Sequence, residues 1–507
     1  MKTLQYSLLL CTLSGMAITA CASDRFTPVE SPNPWQDDYT EFAVVDRQDK
    51  WGTYNVHDPA VTRVGDTYYM YSTDAIYFAR PKEPVDSATR MRRRDMHRQM
   101  GNVQIRRSKD LVNWEFVGWA FPEIPKEGAD WVKSLNPGSR GAASNVWAPY
   151  MVKAADGTFR LYYCLSAFGR KTSYIGLATA TSPEGPWTHK GCVVKTSNES
   201  PMNAIDPTII TGKDGRQWMH YGSFFGGIYC VELDPATGLT LAEGDQGHLT
   251  ARRANYRRDN LEAPEIIYSP EHDMYYLFGS YGPLMTTYNV RVARSKNPEG
   301  PFIDFFGKEM SDTTDNFPIL TAPYRFEGHP GWVGTAHCGV FADGEGRFYM
   351  AHQGRYAPQP NMMDLHVRRV LFTPDGWPVV SPERYASVAD RKFSRADMGG
   401  SWEIIRVAEP GTADNSGRAH DGEGGLHANE WNLASTFRFD DNGSIGGMDG
   451  SAWTLDEESQ LLSLTLGGEV IDNLIIFAGH DWERGLDTVL FTGLDKNGRS
   501  VWGKRVI

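Results

Sequence analysis

Three stretches of this chain open on a carboxylate beside or near a proline: His57-Asp58-Pro59-Ala60-Val61, Ala204-Ile205-Asp206-Pro207-Thr208 and Leu261-Glu262-Ala263-Pro264-Glu265. A lone Asp-Pro is ordinarily a turn or strand-start device, because proline fixes φ and cannot donate to a ladder. Three acids in matching places suggest chemistry instead. A pair of carboxyl groups across a cleft can break a glycosidic bond: one draws a proton from water or attacks carbon, and the other protonates the leaving oxygen. The donor must stay protonated near neutrality, and a neighbouring negative charge raises its pKa.

These acids lie far apart in the chain, so the fold must bring them together. Each heads a hairpin: Asp58 runs through Val64-Gly65-Asp66 into Tyr68–Ser72, Asp206 through Asp214-Gly215 into Trp218–Ser223, and Glu262 into Met274–Ser280. Two more stretches share the pattern. Trp147-Ala148-Pro149 leads through Asp156-Gly157 to Phe159–Tyr163, and His337-Cys338-Gly339 through Asp343-Gly344 to Arg347–His352. A second hairpin-like segment follows each. Five units of four strands predict an all-β chain with a five-bladed β-propeller over residues 51–386. The first strand of a propeller blade lines the axis, so Asp58, Asp206, Glu262 and His337 should converge on one hole with Trp147. Two insertions interrupt the pattern: a basic loop at 80–100, containing Arg92, Arg93 and Arg94, and a Gly/Pro-rich loop at 122–144. Beyond Asp397 the pattern ends, and residues 398–507 read as a small β-barrel or sandwich of short strands.

Composition narrows the class. Among 507 residues the aromatic share is 12%, with Gly 51 and Pro 29, which favours a turn-rich β protein. A net charge of −12 argues against a nucleic-acid binder, since phosphate needs a basic surface. Residues 1–20 read as a signal peptide of lipoprotein type, ending Ile18-Thr19-Ala20 before Cys21, the candidate lipidation site; 21–50 read as a tether. This places the chain at a bacterial cell envelope, lipid-anchored or secreted, touching the membrane only through that anchor. The remaining cysteines, Cys164, Cys192, Cys230 and Cys338, lack CxxC spacing and are expected to be free and buried. A monomer is expected.

The motifs Val146-Trp147-Ala148-Pro149, Leu165–Gly169, Asn203–Ile210, Tyr221–Gly227, Leu261-Glu262-Ala263-Pro264 and Trp332–His337 resemble family-43 glycoside hydrolases, most closely the endo-1,5-α-L-arabinanases. The tail, ending Val501-Trp502-Gly503-Lys504, resembles the extra C-terminal β domain of the longer extracellular members. The resemblance implies inverting hydrolysis of arabinan, with Asp58 as general base, Glu262 as general acid and Asp206 as the carboxylate that tunes the acid and positions the sugar. Glu265 is a competitor for the acid's role, though the family motif places the acid before Ala-Pro. His337 matches the histidine that faces a metal, usually Ca2+, in the axial channel; the family's common Asn after it is Cys338 here. For sugar contact we expect stacking on Trp147, Phe168 and Phe225, and hydroxyl contacts from Asn145, Ser166, Asn203 and Ser223. Two alternatives stay open at this point: an exo-acting α-L-arabinofuranosidase or β-xylosidase on the same fold, and a non-catalytic glycan-binding surface lipoprotein.

Overall fold

The computed structural model describes residues 48–75, 102–254, 259–312, 315–408, 426, 430–446 and 448–507. Cys21, the tether and the basic loop at 80–100 lie outside the described residues. Four sheets of four antiparallel strands follow one another in chain order. The fifth unit, strands Cys338–Ala342, Phe348–Tyr356, Met363–Phe372 and Pro378–Val380, belongs to a seven-stranded sheet that also takes in short strands at Tyr324–Arg325, Trp332–Val333 and Asn432–Leu433. The innermost strands of the five units neighbour one another in order, and the last returns to the first, so they close a ring. Tyr54 bridges to Asp364 and clasps the segment just before blade one onto blade five.

Each blade is built as its sequence dictates. In blade one, strands His57–Val64 and Thr67–Thr73 are joined by Gly65-Asp66, with Gly65 at φ 65, the left-handed conformation a two-residue hairpin needs. Second strands show no polar alternation; Phe159–Leu165 is buried at every position because blades cover both faces. The core is therefore divided among the blade junctions. Tyr71 and Ile105 of blade one pack with Leu161 and Tyr163 of blade two. Leu177 meets Met219 at the next junction, and Ile228 meets Leu277 at the one after. Phe278 meets Val340, and Val61 meets Phe341, at the last two.

The X-Pro motif has a specific structural job. In blades one, two and four it forms a bulge, where Asp58-Pro59, Ala148-Pro149 and Ala263-Pro264 each face a single residue of the second strand. Proline suits the gap in the ladder, since it has no N–H to leave unpaired. The residue before it adopts a positive φ: Asp58 (51), Ala148 (37), Asp206 (58) and Ala263 (54). His337 (φ 22) takes the corresponding place in blade five, followed by Cys338. The ring position shared by Asp58 and Asp206 is thus held in blade four by Ala263, and Glu262 stands one residue earlier, level with His57 and Trp147. This corrects the expectation that the three acids hold matching places. All three still face the same end of the ring, because a bulge re-aims the side chains that flank it.

The 122–144 insertion is not the loop its composition suggests. Residues Lys126–Leu135 form an α-helix whose buried residues are Gly128, Ala129 and Val132. A Cβ at Gly128 would lie 2.6 Å from Tyr174 and 2.8 Å from Leu165, so glycine is what lets the helix lie against blade two.

The C-terminal domain is an eight-stranded antiparallel barrel, closed by a bridge between Ser444 and Ala452. Its interior is filled by Trp402, Phe439, Trp453 and Phe491, with Trp402 stacked on Phe439 at 5.1 Å and Phe439 on Trp453 at 5.7 Å. Strand Asn432–Leu433 joins the propeller sheet by pairing parallel with Tyr324–Arg325. Deep in the seam, Lys504 Nζ lies 2.7 Å from Glu383 and 3.0 Å from Asp481, and also bonds Glu483. Cys164, Cys230 and Cys338 are free and buried as expected, whereas Cys192 is only partly covered.

Candidate active site

At one end of the ring the three acids meet a cavity of about 790 Å3. Asp58 is held on both oxygens. Thr73 donates its hydroxyl to Oδ2 at 2.6 Å, and His337 Nδ1 lies 3.0 Å from Oδ1. His57 Nδ1 is 2.7 Å from the same oxygen. The Asp58 N–H is tied to Gln353 Oε1 at 2.9 Å, and Thr73 Oγ1 accepts from Ala148 N at 2.7 Å, so blades one, two and five fix this carboxylate together. Glu262 accepts two hydroxyl hydrogen bonds, from Ser223 at Oε2 and from Tyr288 at Oε1, each 2.7 Å. Among the described residues Asp206 accepts only the Ala263 N–H, at 3.2 Å.

These surroundings drive the three protonation states apart. Burial alone would raise Asp58, but the imidazoles of His57 and His337 outweigh it and hold the carboxyl well below its usual range. His337 is in turn pushed up to about 9 against its burial, chiefly by Asp58. Asp206 moves the opposite way: burial raises it well above an ordinary carboxyl, and the nearby charges of Glu262 and Asp58 add to that. Burial also raises Glu262, opposed by its two hydroxyl donors. Asp206 and Glu262 therefore form a coupled pair that holds protons more tightly than ordinary carboxyls, facing Asp58, which gives its proton up more readily. A carboxyl that sheds its proton readily and one that keeps it longer, on one cavity, are the equipment for acid–base cleavage of an acetal.

Every residue singled out for sugar contact lines this cavity: Asn145, Trp147, Ser166, Phe168, Asn203, Ser223 and Phe225. Several of their polar groups are already engaged. Asn145 Oδ1 accepts from Trp147 Nε1 at 2.7 Å, which sets the indole plane. Ser166 and Asn203 are joined through Ser173, at 2.7 and 2.6 Å. Ser223 spends its hydroxyl on Glu262, which makes it a support of the carboxyl. Phe168 stands 84% exposed at the rim. Phe225 is delivered by a turn in which a Cβ on Gly226 would sit 1.9 Å from Pro201 O, so only glycine permits it.

Glu265 is elsewhere. It does not line the cavity; Tyr150 and Thr208 donate to its Oε1 at 3.1 and 3.0 Å, and burial pushes its pKa up to about 8. Sequence reasoning missed His57, Thr73 and Tyr288. His57 stands beside Asp58 in the motif and was within reach of inspection. Thr73 and Tyr288 sit at the far end of a second strand and just before a third, where no repeated motif marks them.

A metal at His337 has one supporting feature. A histidine whose Nδ1 faces a carboxylate presents Nε2 as a ligand, a common arrangement around bound metals. It is a single donor, whereas Ca2+ takes six to eight oxygens. Among the described residues no group of three metal-binding side chains gathers there; the one such group, Glu383, Asp481 and Glu483, is in the seam and already holds Lys504. An ion at His337 would draw most of its shell from water.

Comparison with known proteins agrees with this geometry. The family model for glycosyl hydrolases family 43 matches residues 52–378, and a C-terminal lipocalin-like domain matches 382–503. An extracellular endo-α-(1→5)-L-arabinanase of Thermotoga petrophila is 28% identical over 92% of this chain and 97% of its own. An extracellular exo-α-(1→5)-L-arabinofuranosidase of Cellvibrio japonicus is 30% identical over 67% of this chain and 90% of its own. The crystal structure of the Thermotoga petrophila endo-1,5-α-L-arabinanase superposes with a TM-score of 0.71 at 27% identity, covering 90% of this chain and 99% of that one. With fold, paired acids and family model in agreement, the chain belongs to family 43 of the glycosyl hydrolases.

Proposed function

We propose that this glycoside hydrolase cleaves α-1,5-linked L-arabinan by a single displacement with inversion. The carrying observation is the convergence of three acids on one cavity with different partners: Asp58 against two imidazoles and the Thr73 hydroxyl, Glu262 against two hydroxyls, and Asp206 against one backbone N–H. Asp58 takes a proton from the attacking water as oxygen bonds to the anomeric carbon. Glu262 gives its proton to the departing glycosidic oxygen as that bond breaks. Asp206 keeps the donor's pKa high and positions the sugar. His57, His337 and Thr73 keep the base oriented and charged. An arabinan-directed endo activity is favoured by the relative that matches nearly end to end, barrel included. The shorter Cellvibrio relative is exo-acting, so products decide the matter. Early release of mixed oligosaccharides from linear arabinan is expected; arabinose alone would reject endo action. NMR of the first product should show inverted anomeric configuration.

The same reading extends to location and cofactor. Export is favoured by the leader, and attachment by Cys21; loss of lipid labelling in Cys21→Ala is the test. Ca2+ on His337 Nε2 would supply positive charge beside Asp58. It requires an unprotonated imidazole, so calorimetric affinity should fall as pH is lowered below about 9.

A further inference from the structure

Glu262 is the one acid of the three whose two oxygens are both taken by hydroxyl groups, and these come from two different blades. Ser223 follows the second strand of blade three, Gln217–Tyr221, and Tyr288 precedes the third strand of blade four, Asn289–Ser295. Tyr288 is only 1% exposed, and its ring belongs to the core between blades four and five. Its backbone is fixed as well. The Asn289 side chain bonds Thr287 O at 2.8 Å and Tyr281 O at 2.9 Å, which pins the segment on either side of it. Gly334 N donates to Thr286 O at 2.8 Å, and Thr335 Oγ1 reaches Tyr288 O at 3.4 Å. The phenol oxygen is therefore a rigid point presented to the cavity, not a mobile side chain that happens to meet a carboxylate.

We propose that Tyr288 is a positioning residue for the proton donor: its O–H holds Glu262 Oε1, aims the carboxyl at the cleft and sets how tightly it keeps its proton. The inference rests on the reading of Glu262 as the acid. A donated hydrogen bond is stronger to a carboxylate than to a carboxylic acid, so it favours release of the proton. Opposing it are burial and the charge of Asp58, with His337 acting in the same direction as Tyr288. Asp206 faces the same carboxyl, and Arg355 lies near the phenol. Without a donor, Glu262 would hold its proton too firmly to deliver it. Ser223 acts on the other oxygen, but its hydroxyl turns freely about Cβ–Oγ and can switch from donor to acceptor once Glu262 is protonated. Tyr288 is anchored by its buried ring, so the two supports are not equivalent: the tyrosine fixes orientation and the serine accommodates the change of charge.

The test is kcat/KM against pH for the full chain as wild type, Tyr288→Phe and Ser223→Ala. Two substrates are used: linear arabinan, and an aryl arabinotrioside whose leaving group needs no proton. In Tyr288→Phe the alkaline limb on arabinan should move up by about one pH unit. At neutral pH, kcat on arabinan should fall about ten-fold or more with KM little changed, and activity on the aryl substrate should fall much less. Ser223→Ala should move the limb the same way by a smaller amount; a shift of about one pH unit or more in Ser223→Ala would overturn the leading role given to Tyr288 even where Tyr288→Phe does not fold. A lower melting temperature with an unmoved limb would reduce Tyr288 to a packing residue and overturn the proposal. Glu262→Gln separates the two claims. If it cleaves arabinan as well as wild type, the acid assignment itself fails. If it is inactive on arabinan yet active on the aryl substrate, and Tyr288→Phe leaves the limb in place, only the role of Tyr288 fails.

Discussion

Two groups of buried carboxyls occupy this molecule, and they behave in opposite ways. In the seam between propeller and barrel, Glu383, Asp481 and Glu483 surround one ammonium, Lys504, which has no exposure to solvent. Lys504 holds Glu483 down at about 2, while Glu383 is raised by burial and by the charge of Glu483. The pocket that Glu383 lines holds only about 10 Å3. On the propeller axis, Asp58, Asp206 and Glu262 have no lysine or arginine among their hydrogen-bond partners in the described residues and are held by imidazole, hydroxyl and backbone groups. Burying three acids is thus not in itself a functional signature. At the axis the acids meet an open cavity, and all three sit at or beside backbone at positive φ, where strain of order 1–3 kcal/mol per residue is tolerated only if the surroundings enforce it.

The sharpest break between the groups should come from removing charge. Glu262→Gln or Asp58→Asn should lower kcat on linear arabinan by roughly 10³-fold or more, with a melting temperature near that of wild type. Lys504→Met should do the reverse. It leaves Glu383 and Glu483 without their cation, with Asp481 still paired to Arg484 at 2.8 Å, a loss of about 3–5 kcal/mol, and should spare kcat at temperatures where the protein stays folded. Denaturant unfolding with parallel activity assays checks both. The sign with pH is also set. Glu483 has a depressed folded pKa, so its contribution is present above about 4.5 and is lost as pH falls towards about 2. The gap between wild type and Lys504→Met should narrow over that window. If Lys504→Met abolished activity at full stability, the seam would be more than structural.

Glu265 lies between the two cases, a buried acid of the inner ring outside the cavity. Its folded pKa is raised to about 8. Stability from keeping it neutral is complete below about 4.5 and is lost as pH rises towards about 8. Glu265→Gln keeps an acceptor for Tyr150 and Thr208 and removes that titration. It should therefore be more stable than wild type at pH 8 by a few kcal/mol, about equal at pH 5, and unchanged in kcat. A large fall in kcat would return Glu265 to candidacy for the proton donor.

The same contrast shows what was legible in the sequence. Asp58, Asp206 and Glu262 stood out because each heads a repeated hairpin, and repetition reports position in a propeller. The one-residue offset of Glu262 was hidden, because Asp58-Pro59 and Glu262-Ala263-Pro264 look alike until the bulge shows that Ala263 takes the positive φ. The helix Lys126–Leu135 was hidden by the glycines and prolines around it; Gly128 breaks helical preference but is required by Tyr174. Tyr288 and Thr73 gave no signal, because each acts through one hydroxyl placed by long-range folding. Lys504, Glu383 and Asp481 are unremarkable as a sequence and meet only when the barrel docks.

The smallest expected effect concerns the rim. Phe168 at 84% exposed and Leu241 at 58% are both large apolar side chains facing water, but only Phe168 borders the acids' cavity. Neither supports the fold through burial, so Phe168→Ala and Leu241→Ala should both melt within about 1 °C of wild type, as surface changes usually do. A sugar ring stacked on Phe168 would cover a few tens of Å2 of apolar surface, worth about 1 kcal/mol. That corresponds to a roughly five-fold rise in KM, with kcat unchanged, since the contact is made equally before and during bond breaking. Leu241→Ala should leave KM where it was. Equal KM values for both variants on linear arabinan would mean that substrate does not cross the rim at Phe168, and would confine sugar recognition to Trp147, Phe225 and the cavity floor.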